Sequence, residues 1–139
     1  VHTVMKDVKI SYDFNWQRLH WQSLQTSYRS SAYFEFYEEE LAPLYEKRWD
    51  FLFDYNEHIL NILLRLLKIN LDYSFTKIYE KTYADLVDLR ERIHPKNDTI
   101  FTHKPYFQVF DERNGFLQNL SIVDLLFNQG PQSLSFLTM

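Results

Sequence analysis

The sequence predicts an α+β fold, a helix-dominated single domain with a few short strands, and three observations carry that expectation. Apolar residues recur at helical spacing through most of residues 16–68, and runs rich in β-branched and aromatic residues stand at 8–12, 73–79 and 105–110. No linker, repeat or low-complexity segment divides the 139 residues. A chain of this length can bury most of its apolar surface around one core, so residues 1–139 are expected to form a single domain.

In chain order, residues 8–12 read as a strand that Asp13 to Asn15 break, with Asn15 the N-cap of a helix from Trp16 to about Ser30. At about 100° per residue, Trp16, His20, Leu24 and Ser27 share one face of it, so His20 is expected to point inward. A second helix carries Tyr33, Phe34, Tyr37 and Leu41 opposite a solvated face of Glu35, Glu38 and Glu39. Pro43 is expected to force Ala42 out of helical geometry, then to open a third helix carrying Leu44, Lys47, Arg48, Trp49, Phe51 and Leu52. Asp54 and Glu57 look like a fresh cap, after which Ile59, Leu60, Leu63, Leu66 and Leu67 make the longest apolar stripe, that of the expected core helix.

Past a turn at 70–72, residues 73–79 alternate as a strand, and Thr82 or Asp85 can cap a short helix through Leu86, Leu89 and Ile93. The last third is locally the most specified. Residues 105–110 suit a half-buried strand and 111–115 the turn that closes it. Ser121 then stands at an N-cap position with the Asp124 carboxylate three residues on, where both can serve the free amides of a first helical turn. The helix should stop between Asn128 and Pro131, where Gly130 can take left-handed geometry and Pro131 can begin the next turn.

Composition narrows the function. Rings make up 18% of the chain, about twice ordinary usage, which favours a pocket lined by aromatic groups with polar tips. A net charge of -4 with scattered Lys and Arg leaves no footprint for nucleic acid. The absence of cysteine removes disulfides and thiolate chemistry, and no apolar run reaches membrane-spanning length, so a soluble, cytoplasmic protein is expected. No His pair has zinc-protease spacing and two glycines cannot cradle a phosphate, so no metal or cofactor is expected. Trp16, Trp21, Tyr28, Tyr33 and Tyr37 are either core or a stacking wall for a ring-shaped ligand. The chain opens on Val1 without signal-peptide character, and a piece of a longer protein is expected.

The run NGFLQNLSIVDLLFNQGPQSL at 114–134 resembles the ending of the WbqC-like family, and WQRLHWQSLQTSYRSSAYFEFY at 16–37 resembles its middle. DLRERIHPK at 88–96 and PYFQVF at 105–110 fit the same pattern. The resemblance implies a bacterial protein of O-antigen or other surface-polysaccharide biosynthesis, a transferase placing a glycyl or other acyl group on an activated sugar, with a sugar or nucleotide-sugar as its partner. Relatives carry a further N-terminal segment, so the chain would be the C-terminal two-thirds of such a protein. The matching positions of interest are Trp16, His20, Tyr28, Tyr106, Gln108, Ser121, Asp124, Asn128 and Gly130. The expected catalytic residues are His20, whose ordinary pKa suits acid–base work, and Asp124. Trp16, Tyr28, Tyr106, Gln108 and Asn128 are expected to bind substrate. The alternative is a non-catalytic module whose aromatic-lined groove holds a saccharide or a partner's helix.

Overall fold

The computed structural model describes residues 3–83, 85–90 and 104–137. Within them run α1 (Trp16–Tyr28), α2 (Phe34–Leu41), α3 (Pro43–Glu46), α4 (Leu52–Leu66), α5 (Asp111–Asn114), α6 (Ile122–Gln129) and α7 (Leu134–Leu137), with 3-10 turns at Met5–Asp7 and Gly130–Gln132. The α+β expectation is overturned, because the described residues are 51% helical and contain no sheet, with 2% strand or bridge. Among the described residues the isolated bridge is antiparallel, Lys9 to Phe51, flanked by Ile10 N donating to Asp50 O and Leu52 N donating to Val8 O. Alternating β-branched and aromatic residues record only a fit to a half-buried pleated surface, and a strand also needs partners. Phe75, Ile78 and Tyr79 in the run at 73–79 are instead solvent-exposed, and in the run at 105–110 the Gln108 side chain pairs with the Leu117 backbone.

The helices begin and end for local reasons, some of them unforeseen. Asn15 caps α1 as expected, its side chain accepting from Arg18 N at 3.3 Å. Pro43 ends α2 and occupies the first turn of α3, where its missing N–H is not needed, but Ala42 keeps helical φ and ψ of -53° and -42°. The third helix stops at Glu46, four residues long, because the segment after it extends to reach the Lys9–Phe51 bridge. Helix α4 begins at Leu52 with no side-chain cap, so Asp54 lies inside its first turn rather than capping it, and Leu60 faces solvent instead of the core. The turn expected at 111–115 is the one-turn helix α5, closed by Gly115 at φ 65°. No helix forms over the described part of 82–90, while Ile93, His94, Pro95 and His103 lie outside the described residues.

The core gathers where α2 meets α6. Phe34, Leu126 and Phe127 are wholly buried, and the Phe34 and Phe127 rings meet edge-on at 5.1 Å. Trp16, Tyr37, Leu41, Leu44, Tyr55 and Leu67 extend the cluster across α1, α3 and α4. Tyr33 N donates to Phe127 O at 2.9 Å, which seats the start of α2 on the end of α6. The expected stop at Gly130 is present at φ 53°, and a Cβ there would lie 2.5 Å from the Tyr33 ring. Glycine is therefore required twice, by backbone sign and by space.

Candidate functional site

Asp124 was expected to serve the first turn of its helix as half of a capping box. Ser121 does occupy the N-cap, but its side chain makes no capping bond. The Asp124 side chain turns inward and is 4% exposed. Tyr28, from the last turn of α1, donates its hydroxyl to Asp124 Oδ1 at 3.0 Å. Tyr106 donates to Oδ2 at 2.7 Å, and Gln108 Nε2 to the same oxygen at 3.3 Å. Two chain segments remote in sequence, one at Tyr28 and one at 106–108, thus converge on one carboxylate.

Each donor is fixed by a second interaction. The Tyr28 ring packs on Phe127 at 5.0 Å, and the Tyr106 ring lies edge-on to Phe116 and Phe136. Gln108 exchanges two hydrogen bonds with Leu117, Nε2 donating to the carbonyl at 2.9 Å and the amide donating to Oε1 at 2.8 Å. A side chain here does what a strand partner would have done, and it closes the loop from 108 to 117. One turn beyond Asp124, Asn128 donates Nδ2 to the Asp124 carbonyl at 2.7 Å. Its Oδ1 is buried and has no partner. Unpaired buried acceptors are uncommon and call for a cause.

The electrostatics favour neutral donors around a negative group. Burial first, and the adjacent carboxylate second, raise the Tyr28 hydroxyl far above its ordinary value. Burial and then the bond to Asp124 push Tyr106 up to about 12. Both hydroxyls hold their protons at neutral pH and keep donating. The ion pairs among the described residues, Arg65 with Glu40 and Arg90 with Asp88, lie elsewhere.

Five of the sequence-derived candidates, Tyr28, Tyr106, Gln108, Asp124 and Asn128, are therefore neighbours. His20 and Trp16 are not brought to them. They sit toward the other end of α1, His20 eight and Trp16 twelve residues from Tyr28, roughly 12 Å and 18 Å along the helix at 1.5 Å per residue. His20 is exposed rather than inward, its ring 5.3 Å from that of Trp16. The reason is rotational. The stripe that packs inward is Gln17, Trp21, Leu24 and Tyr28, with the buried Gln17 donating Nε2 to Lys47 O at 2.7 Å, so a polar residue occupies a position that periodicity alone gives to an apolar one. Trp16 closes the side of that stripe against Tyr12 and Tyr55.

The aromatic wall does not form. Trp16, Trp21, Tyr28, Tyr33 and Tyr37 all pack in or against the core, Trp21 stacking on Tyr45 at 5.4 Å. An open depression of about 550 Å³, lined by Gln22, Gln25, Thr26 and Arg29, lies along the polar face of α1. Sequence reading passed over these four, although their i, i+3, i+4, i+7 spacing puts them on one face. No group of three or more potential metal ligands occurs among the described residues, and no described helix is long and apolar enough to cross a membrane.

Comparison with known proteins gives one match. The model of the WbqC-like protein family covers residues 2–97, whereas no curated protein and no solved structure matches. The matched stretch includes Tyr28 and the runs at 16–37 and 88–96, and it ends before Tyr106, Gln108, Asp124 and Asn128.

Proposed function

We propose, because the chain belongs to the WbqC-like protein family, that it is a cytoplasmic transferase of surface-polysaccharide biosynthesis, moving a glycyl or other acyl group onto an activated sugar. The observation that carries the reading is the Asp124 carboxylate, buried and held by Tyr28, Tyr106 and Gln108, with no ion pair to it among the described residues. A carboxylate so oriented can take the proton of an attacking sugar group while that group bonds to the acyl carbon and the activating group leaves with its bonding electrons. Tyr28 and Tyr106 fix the two oxygens, a positioning role that also favours placing substrate within hydrogen-bond reach.

His20 lies outside this centre. The test is to incubate the protein with nucleotide-sugar pools and activated acyl donors and to follow product masses. A sugar heavier by one acyl group is expected, lost in Asp124→Asn and retained in His20→Ala. Absence of any such product, or undiminished turnover in Asp124→Asn, overturns the proposal.

A further inference from the structure

We propose that the substrate group received at Asp124 is a primary amine, carried as an ammonium on an amino sugar. The proposal rests on the preceding reading of the site and narrows its substrate class. It begins from a count of open acceptor positions. A carboxylate offers about four lone-pair sites and a carboxamide oxygen two. At Asp124, Oδ2 takes two donors, from Tyr106 and Gln108, but Oδ1 takes one, from Tyr28. Asn128 Oδ1 takes none, although it is buried and its own amide is fixed by the bond from Nδ2 to the Asp124 carbonyl. Three acceptor positions are therefore open on neighbouring side chains, and an ammonium brings three N–H donors.

Spacing and charge agree with the count. Asp124 and Asn128 are four residues apart on α6, so their side chains are neighbours on one face with Cβ atoms about 6 Å apart. One nitrogen making charge-assisted bonds of roughly 2.8 Å to each oxygen spans such a gap. The donors now on Asp124 are all neutral, and no described Lys, Arg or His forms an ion pair with it. A cationic ligand would supply the missing charge. Residues 104–108, which bring Tyr106 and Gln108 over the carboxylate, form no helix or strand.

Titration of the wild-type protein with glucosamine, N-acetylglucosamine and glucose, followed by calorimetry, tests the inference without any variant. Glucosamine is expected to bind at least tenfold more tightly than the other two. Asn128→Leu, which removes the unpaired acceptor while keeping similar bulk, is expected to erase that preference. Equal binding of all three sugars overturns the amine assignment and leaves the sugar-transferase reading standing. Failure of all three to bind overturns both. A preference that persists undiminished in a folded Asn128→Leu protein removes Asn128 from the site and overturns the acceptor count.

Discussion

Over its first two turns α1 places Trp16 and His20 in a succession of rings, and at its last turn it delivers Tyr28 to a buried carboxylate. The first end is built from ring contacts: Trp16 packs on Tyr12, His20 and Tyr55, Trp49 reaches Tyr55 and His58, and Arg48 and Lys47 lie over the Tyr12 and Trp49 rings. Its histidines, His20 and His58, remain in solvent. The last end reverses the arrangement, with the ionisable group inside and neutral polar groups around it. Ring contacts tolerate small shifts because dispersion is spread over many atoms, whereas a buried carboxylate depends on a few directional bonds whose loss leaves polar groups unsatisfied. Chemistry that needs a tuned, oriented group is better served by the second kind of end.

Substitutions should separate the two ends in order of effect. Asp124→Ala strands the Tyr28 and Tyr106 hydroxyls and is expected to cost roughly 3–5 kcal/mol in urea denaturation. A loss under about 1 kcal/mol would mean that the cluster is not a structural anchor. Tyr106→Phe removes one donor and should cost about 1 kcal/mol near neutral pH, with a signature in alkali. Tyr106 is raised from 10.0 to about 12 in the folded protein, so the folded state holds this proton more tightly than the unfolded one. Its contribution is complete below pH 10 and is lost as pH rises toward about 12, with Tyr28 shifted in the same direction. Denaturation midpoints measured across that window should fall less steeply in Tyr106→Phe than in the wild type. His20→Ala, at the other end, removes an exposed ring and should change stability by no more than about 0.5 kcal/mol by the same measurement. A larger loss would show that the ring succession at the first end is as demanding as the carboxylate.

Much of the helical frame was legible locally. Asn15 as a cap, the break at Pro43 and the stop at Gly130 follow from single residues whose chemistry acts within one turn. That the three expected strands do not form was not legible, because propensity at 8–12, 73–79 and 105–110 is silent about whether a partner exists, and Leu117 meets a glutamine side chain rather than a strand. The inward face of α1 was misread by one position because Gln17, polar in composition, is buried by a bond to a carbonyl thirty residues away. Of the candidate residues, those around Asp124 were named from the family resemblance, while the spacing at Ser121 and Asp124 pointed to a cap that does not form.

By itself the sequence determined the cap at Asn15 and the break at Pro43, that α6 ends at a glycine, and that the chain carries the family's pattern over residues 2–97. Tertiary structure alone decided that Asp124 leaves its helix terminus for the interior and that Tyr28, Tyr106 and Gln108 meet it there. The physical reason is range. A cap or a proline acts on amides within a few residues, but the partners of a buried carboxylate are chosen by packing, and here Tyr28 lies 96 residues away in the chain.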